Sequence, residues 1–575
     1  MVISLLSICS LSTFTNIFHR IPKMSRFSPV SALAALVSIA SVAPSYAQLY
    51  DQVIQTTYGP VQGYKYFDQS QLETYFNRSE SNVAAFLGIP YAADTGYENR
   101  WKAPQPREPW NTTLNATTFG PACPVSHASS YSEDCLSLNI WTNAATSNAS
   151  HPVLLWNQGS DETSNNAWWY GGGMALKDIV VVTFNRRDDA FGYLAHPELN
   201  AEGLEATGYN TSGTYGILDE LEVLKWIRKN IAQFGGDATK VTVAGQSFGS
   251  GQVYHAVNSP LFSGYFRGAI SQSGIRYPYD TLLAGLATSY VNMSTAIENG
   301  LNYTASHNVS SIADLRKLST AELLVGSGDR VGNESIWWVT ALSCSYPLKF
   351  KPVLDGYAIP MRYIEQLHAG PGNDVPLITG NTRDESGAEL QTSYTVAEYN
   401  EYTSLKYGNL TSRYLELYPA GNSTTTASAA WRRAATDTSL VSSWAFGTEW
   451  VKTAKSPFYT YYWDHSPPGQ DQGAFHQSEI MYVMNALYAN TDKYSFTDYD
   501  YYLGEVMSSY WANFIKHLDP NGVVTPTGTN LTHWAPNDGE SQTVMHVGDG
   551  FGATKIAEKE EVSLIMEYFA QQSPY

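Results

Sequence analysis

The chain has 575 residues, of which 43% are hydrophobic, so it is long enough to bury a large core. Only 15% of the residues are charged, and 34 Lys and Arg stand against 53 Asp and Glu, which gives a formal net charge of −19. An acidic surface without a basic segment repels phosphate backbones. The composition therefore argues against nucleic acid as a partner.

The N-terminal residues 1–47 are predicted to be a leader segment that is removed. Met24 is a candidate start, and Arg26 supplies the basic residue that precedes an apolar stretch. Ser45-Tyr46-Ala47 then has the small residues of a cleavage site. The apolar stretches are short for a membrane span. We expect residues 48–575 to form one mature domain with no membrane anchor.

Signals for N-glycosylation are dense along the chain, which favours export and predicts an extracellular location. The candidate asparagines are Asn77, Asn111, Asn115, Asn148, Asn210, Asn292, Asn302, Asn308, Asn333, Asn409, Asn422 and Asn530.

Cysteine usage fits an oxidising compartment. Cys9 falls in the predicted leader, whereas Cys123 and Cys135 are close enough in sequence to close a small loop. Cys344 is left over, and a buried thiol is the expected state. No Cys or His pair has the spacing of a zinc site, and no motif indicates a nucleotide, so neither a metal nor a cofactor is predicted.

Strand-like and helix-like segments alternate, which predicts an α/β fold with a large, mostly parallel central sheet flanked by helices. The first segment, VLLWNQGSDETSNN, begins as a buried strand at Val153 and ends in a polar loop that carries Asp161 and Glu162. Further strands are predicted at Ile179–Phe184, Val241–Ala244, Val375–Gly380 and Phe458–Trp463. A helix is predicted before Gly235-Gly236, with one apolar face made by Leu218, Leu221, Leu224, Ile227 and Ile231.

The segment VTVAGQSFGS predicts a nucleophile. Here a strand ends in Gly245-x-Ser247-x-Gly249 and a helix follows. Holding a serine in such a tight turn brings the flanking backbone together, so small residues are needed two positions to either side. The turn lifts the hydroxyl clear of the sheet, beside a helix N-terminus.

A serine nucleophile needs a base, and the base needs an acid to orient it. In a sheet of this kind, both are expected after Ser247, in the order acid and then histidine. Asp384 and Glu385 lie in the segment after the strand VPLITG, and His476 follows the strand at Phe458–Trp463. Eleven other histidines compete for the role of base, and the position after a strand favours His476.

Several motifs resemble the type-B carboxylesterase family, including its secreted fungal esterases and lipases. Ser132–Asn139, SEDCLSLN, matches a highly specific signature of that family. Other similar segments are Phe86–Ala92 with Arg100-Trp101, Phe234–Asp237, Gln272–Gly274, Pro352–Gly356, Tyr510–Phe514 and Asp519–Asn521. The resemblance covers nearly everything after the leader, and it implies the α/β-hydrolase fold with an active site at the foot of a gorge.

The resemblance also implies roles for individual residues. It makes Ser247 the nucleophile, Glu385 the acid and His476 the general base, with Ser273 supporting the acid. It implies a disulfide between Cys123 and Cys135 and an ion pair between Arg100 and Glu133. The implied substrate is a small-molecule ester, and no cofactor is implied.

The loop after the first strand departs from the family pattern. Relatives have Gly-Gly-Gly where this chain has Gly159-Ser160-Asp161, and two of those glycines donate N–H groups to the oxygen of the tetrahedral intermediate. The corresponding donors would be the backbone N–H groups of Ser160, Asp161 and Phe248. Backbone donors survive a change of side chain, but a carboxylate at Asp161 would oppose the developing negative charge. We expect this loop to form an altered oxyanion region.

Two neighbouring features have alternative interpretations. Gly171-Gly-Gly173 is a rival source of oxyanion donors, although its distance from the strand favours a substrate-side loop. Trp168-Trp169-Tyr170 and Trp337-Trp338 either line the mouth of a gorge or pack in the ordinary way.

The sequence therefore predicts a secreted serine esterase that acts through an acyl-enzyme. The alternative hypothesis is a family member that has lost or changed this activity, either a binding protein or a biosynthetic enzyme of a non-hydrolytic type. The altered oxyanion loop motivates the alternative, whereas the presence of all three triad residues favours the esterase.

Overall fold

A computed structural model of the protein describes residues 47–125, 128, 130–160, 162–286, 289–331, 347–524 and 527–575. The predicted leader up to residue 46, Asp161, Asn333, the Trp337-Trp338 pair and Cys344 lie outside the described residues.

An eleven-stranded sheet forms the centre of the fold, with the strand order β16-β15-β14-β13-β10-β9-β7-β8-β6-β4-β3. The strands are β1 Val53–Gln55, β2 Pro60–Gln62, β3 Tyr64–Lys65, β4 Ala84–Pro90, β5 Leu114–Asn115, β6 Ser137–Thr142, β7 His151–Asn157, β8 Val180–Phe184, β9 Gly236–Gln246, β10 Gly268–Gln272, β11 Val291–Asn292, β12 Val353–Leu354, β13 Leu377–Thr382, β14 Phe458–Trp463, β15 Thr543–Val547 and β16 Gly552–Lys555. From β8 to β15 every neighbouring pair is parallel, and the pairs at both edges are antiparallel. The predicted fold class is confirmed.

Both faces of the sheet are covered, as a parallel sheet requires. In β7, Val153 and Leu155 belong to one buried cluster, while Leu154 and Trp156 belong to another. Successive strand residues point to opposite faces, so the alternation assigns one cluster to each face. This explains why the parallel strands are continuous apolar runs in the sequence.

Helices supply the apolar surfaces that cover these faces. The helices of eight or more residues are Gln69–Phe76, Pro197–Thr207, Tyr215–Asn230, Phe248–Asn258, Met293–Ser306, Val396–Tyr407, Thr424–Thr453, Asp498–His517 and Lys559–Ala570. Shorter helices are Gly172–Ala175, Asp189–Tyr193, Ile312–Leu315, Thr320–Leu324, Tyr363–Ala369, Thr411–Leu417 and Ile480–Val483.

The helix predicted ahead of Gly235 is present as Tyr215–Asn230, and it buries Leu221, Leu224 and Ile227 against one face. A short 3₁₀ turn follows it, and Gly235 ends that turn with φ 77°, a left-handed conformation that favours glycine. The asymmetric distribution of its apolar side chains was thus sufficient to predict this element.

The candidate N-glycosylation sites that the structure describes are alike in their exposure to solvent. All of the candidate asparagines other than Asn333 are exposed, so each can be reached by a glycosylating enzyme. The disulfide between Cys123 and Cys135 is present in the structure.

Candidate functional site

The site residues lie at the carboxyl edge of the sheet. The parallel strands β7, β9, β10, β13 and β14 all end at this edge, where ligands bind in open α/β sheets. Ser247 directly follows β9, Ser273 follows β10, and Glu385 comes three residues after β13. The loop from β7 and the loop with His476 approach from either side.

Ser247 sits in a strained turn between β9 and the helix Phe248–Asn258. Its φ of 57° and ψ of −122° are values that few residues other than glycine adopt. A methyl group on Gly245 would collide with the Gly249 carbonyl, and one on Gly249 would collide with the Asn157 carbonyl oxygen. The structure thus supplies the steric reason for both glycines.

His476 and Glu385 form the central polar pair of the site. His476 Nδ1 is hydrogen-bonded to Glu385 Oε1, and the Glu385 side chain is 3% exposed. Burial alone would raise the pKa of Glu385, but the imidazole outweighs it and lowers that pKa to about 2. Burial likewise opposes a charge on His476, yet the Glu385 carboxylate raises the pKa of the imidazole above 6.5. The pair is therefore arranged to stabilise an imidazolium.

The loop that carries His476 is anchored at both ends. Before the histidine, Ala474 N donates to Asp384 Oδ2 at 2.7 Å, and Asp384 N donates to Ala474 O at 3.0 Å. After it, Trp463 Nε1 at the end of β14 donates to Ser478 Oγ at 2.9 Å. These contacts hold His476 against the neighbouring strand end, where Glu385 lies.

A second buried carboxyl group lies near the imidazole. Glu479 Oε1 accepts hydrogen bonds from Gln272 Nε2 at 2.9 Å and from Tyr461 OH at 3.1 Å. Burial raises the pKa of Glu479. Its charge also contributes to the raised pKa of His476.

Ser247 and His476 are not hydrogen-bonded to each other. The Ser247 hydroxyl has no hydrogen-bond partner among the residues that the structure describes, and Gln246 Nε2 lies 3.1 Å from His476 Nε2. The structure thus joins Glu385 to His476 directly, and it brings Gln246, the residue before Ser247, within hydrogen-bond range of the second imidazole nitrogen.

Ser273 is held close to the acid. Its N–H donates to Gly380 O at 2.8 Å, and its φ of 53° is left-handed. The Ser273 hydroxyl is buried and makes no hydrogen bond with the residues that the structure describes, although its proximity helps to lower the pKa of Glu385. Its role in supporting the acid stays a prediction.

The predicted oxyanion donors are only partly described. Phe248 is the first residue of its helix, so its N–H has no acceptor within that helix. The Phe248 ring is buried, with its centroid 5.6 Å from the centroid of the Tyr193 ring and 5.0 Å from the guanidinium carbon of Arg186. Ser160 does not have a left-handed φ, so its replacement of glycine carries no such strain. Asp161 lies outside the described residues.

Arg186 contacts the loop that follows β7. Its buried guanidinium donates from Nη2 to Gly159 O at 3.2 Å, and Nε lies 3.1 Å from Asp188 Oδ1. The Gly159 C=O and the Ser160 N–H belong to one planar peptide group and point in opposite directions. Fixing the carbonyl oxygen therefore fixes the direction in which Ser160 donates.

A buried carboxyl group holds the start of the same loop. Asn157 Nδ2, at the end of β7, donates to Glu220 Oε1 at 2.8 Å. Burial raises the pKa of Glu220 to about 7, while the Asn157 amide and the Arg186 charge lower it. The loop therefore rests on a buried polar network that contains both an arginine and a glutamate.

The glycines at 171–173 pack closely instead of facing Ser247. A methyl group on Gly172 would meet Tyr66 and Tyr488, and one on Gly173 would meet the Asn485 backbone. Close packing thus explains these glycines. Trp169 is buried, whereas the partly exposed Trp168 packs 6.0 Å from Phe475, next to His476.

Arg186 and Gln477 are among the site residues that the sequence analysis did not assign. The sequence does not show that Arg186 contacts the backbone of the loop after β7. Gln477 has a φ of 85°, and its side-chain amide reaches the space above Gly159. Nothing in the segment AFHQSE marks a left-handed residue.

The described residues contain no cluster of three or more His, Cys, Asp or Glu side chains suited to hold a metal ion. Within the same residues, no helix combines the length and apolarity needed to cross a bilayer.

Comparison with known sequences gives consistent matches. The carboxylesterase family profile matches residues 50–565. The chain is 31% identical over 502 residues to the fumonisin B1 esterase of Sphingopyxis macrogoltabida, covering 82% of this chain and 85% of the relative. It is 28% identical over 509 residues to human cocaine esterase, covering 81% and 83%. The para-nitrobenzyl esterase of Bacillus subtilis is 28% identical over 503 residues, covering 82% and 91%.

Comparison with solved structures agrees on the fold. A PNB esterase structure superposes with a TM-score of 0.68 at 24% sequence identity and covers 89% of this chain and 99% of its own. A thermophilic PNB esterase structure gives the same TM-score and coverage.

Proposed function

Because the chain belongs to the carboxylesterase family and is a carboxylic ester hydrolase, we propose that it is a secreted serine esterase that forms an acyl-enzyme on Ser247. The observation that carries this proposal is the Glu385–His476 hydrogen bond beside the strained turn at Ser247. The substrate is a small-molecule ester. The fungal-type assignment remains a prediction, since the relatives compared above are bacterial and human.

In the proposed reaction, His476 takes the proton of the Ser247 hydroxyl as its oxygen attacks the ester carbonyl. The imidazolium, stabilised by Glu385, then gives that proton to the alcohol oxygen as the ester C–O bond breaks. Water next attacks the acyl-enzyme, passing a proton to His476, and the acid leaves as the proton returns to the Ser247 oxygen. Glu385 stays ionised throughout, as its low pKa favours.

We place the tetrahedral oxyanion against the N–H groups of Ser160, Asp161 and Phe248. Three features support this assignment: the free N–H at the start of the helix, the absence of left-handed strain at Ser160, and the Arg186 contact that orients the Ser160 peptide. Ser273 is proposed to support Glu385.

The decisive experiment compares the wild type with Ser247→Ala on p-nitrophenyl acetate and butyrate. The substitution removes the nucleophile from a partly exposed position, so we expect a loss of at least about 10³-fold in kcat/KM with the fold retained. Labelling with a fluorophosphonate should mark Ser247 in the wild type only. Equal hydrolysis by both proteins would contradict the proposal.

A second candidate, a binding protein or a biosynthetic enzyme of a non-hydrolytic type, rests on the Ser160-Asp161 loop. Its test is the same labelling experiment: a folded wild type that fails to react at Ser247 and hydrolyses no ester would favour it.

Secretion is supported by the exposed sequons and by the disulfide. Expression in a eukaryotic secretory host followed by enzymatic removal of N-glycans should release a large mass from the protein in the medium. Retention in the cell without glycan would contradict this part of the proposal.

A further inference from the structure

Gln477, the residue after the proposed base, is held in an unfavourable conformation. Its φ of 85° lies in the left-handed region, where residues with a Cβ are rare. Such strain persists only where the surrounding structure enforces it, and it is concentrated at functional sites. The anchored loop described above, fixed by Ala474 on one side and Ser478 on the other, provides that enforcement.

The strained backbone directs the Gln477 side chain over the nucleophile. The point where a Cβ would lie on Gly159 is 3.2 Å from Gln477 Nε2 and 3.7 Å from Ser247 Cβ. Glu162 Cγ also lies 3.7 Å from that point. Gln477 Nε2 and Ser247 thus border the same small space, which glycine at 159 leaves open.

The amide group of Gln477 is available to a ligand. It forms no hydrogen bond with any residue that the structure describes, and the side chain is partly exposed. A primary amide carries two N–H donors, which suit an uncharged oxygen acceptor. A neutral donor at this position binds a substrate without adding charge beside His476.

The proposed reaction determines which part of the substrate lies next to the Gln477 amide. In the proposed function, on which this inference rests, His476 gives its proton to the departing alcohol oxygen. The alcohol part of the ester therefore lies on the His476 side of Ser247. The Gln477 side chain comes from the same loop as His476, and its Nε2 borders the space next to Ser247.

The geometry points to Gln477 as a specificity-determining residue whose side-chain amide donates a hydrogen bond to a second oxygen in the alcohol part of the substrate. The favoured substrates are esters of alcohols with an oxygen close to the ester bond, such as partial esters of diols and polyols.

The test uses two acetate esters of the same shape, 2-methoxyethyl acetate and butyl acetate, which differ by one oxygen in place of a CH₂ group. Gln477→Gly and Gln477→Leu both remove the donor, so each should lower the ratio of kcat/KM for the methoxyethyl over the butyl ester. We expect a three- to tenfold loss, about the contribution of one neutral hydrogen bond. An unchanged ratio in both variants overturns the inference.

Stability separates this role from a structural one. Gln477→Gly relieves the left-handed φ, so its thermal midpoint should be equal to or above that of the wild type, as for the control Asp178→Gly, whose φ is 59° at an exposed position. A lower midpoint with equal losses on both esters would show a structural role and overturn the inference. Ser247→Ala tests the proposed function separately, because it should abolish hydrolysis of both esters.

Discussion

At the scale of single residues, the proposed function depends on how Glu385 sets the pKa of His476. The carboxylate raises the pKa of the imidazole, and the imidazole in turn lowers that of Glu385. A general base must be neutral to accept a proton. The acid limb of the pH profile, where kcat/KM falls as the pH is lowered, should therefore lie at the raised pKa of His476.

Glu385→Gln is expected to lower kcat by about 10⁴-fold, because the imidazolium loses its counter-charge and the preferred tautomer. Without the carboxylate, burial lowers the pKa of His476, so the acid limb should move to lower pH. The measurement is kcat/KM between pH 5 and 9 on an activated ester. Glu389→Gln, which removes a weaker contributor to the same shift, should leave kcat nearly unchanged. An acid limb that stays in place would contradict the assignment.

Arg186 should act through the peptide that it orients. Arg186→Lys keeps the charge but shortens the reach to Gly159 O, so we expect kcat to fall about tenfold, less than the loss of a whole oxyanion donor. Steady-state kinetics with a thermal melt would measure this.

Arg267→Lys is the matched control for Arg186→Lys, because Arg267 also donates to backbone carbonyls, those of Ile515 and Lys516, away from the site. Its kcat should match the wild type. Equal kinetic effects of the two substitutions would contradict a role of Arg186 in the oxyanion region.

At the scale of elements, the turn between β9 and its helix is limited by contact with β7. Gly249→Ala would push a methyl group into the Asn157 and Gln158 carbonyl oxygens. We expect a cost of about 1–3 kcal/mol in the free energy of unfolding, as for overpacked cores, together with lower activity because the oxyanion loop must move.

Gly504→Ala is the control for Gly249→Ala. Gly504 is also buried in a helix, but a methyl group there would approach side chains instead of backbone, Leu487 at 3.2 Å and Asn485 at 3.4 Å, so a shift of a few tenths of an ångström is enough. Alanine favours helix over glycine, so stability should be kept. Urea denaturation would decide, and equal costs at both positions would contradict the steric argument.

At the scale of the whole molecule, a buried ion pair ties distant segments together. Arg100 and Glu133 make two hydrogen bonds of 2.8 and 2.6 Å, and Thr320 Oγ1 donates to the same carboxylate at 2.6 Å. Arg100 Nη1 also donates to the carbonyls of Arg316 and Leu318. These contacts thus connect the segment at Glu133, near the disulfide, to the segment at Thr320, which is 187 residues later in the chain.

Glu133→Gln should lower the free energy of unfolding by about 3–5 kcal/mol, because it leaves a buried guanidinium without its counter-charge. Activity per folded molecule should be unchanged, since the pair is apart from Ser247. Lys317→Ala, which breaks the exposed pair with Asp314, should leave the urea midpoint unchanged. A similar midpoint for Glu133→Gln and the wild type would contradict this prediction.

The sequence by itself predicted the fold class, the helix ahead of Gly235 and the turn at Ser247, because apolar periodicity indicates burial and a tight turn admits only small flanking residues. Position after a strand made Asp384, Glu385 and His476 candidates. The choice of Glu385 over Asp384, the disulfide and the ion pair came from the family resemblance, and the disulfide and the ion pair are present in the structure.

Only the tertiary structure decided which groups meet across the carboxyl edge of the sheet. Arg186 reaches Gly159, and Gln477 reaches the space over Ser247, through contacts between residues far apart in sequence. The direction of a side chain depends on backbone angles such as the φ of Gln477, which the packing of neighbouring strands imposes and residue type does not encode.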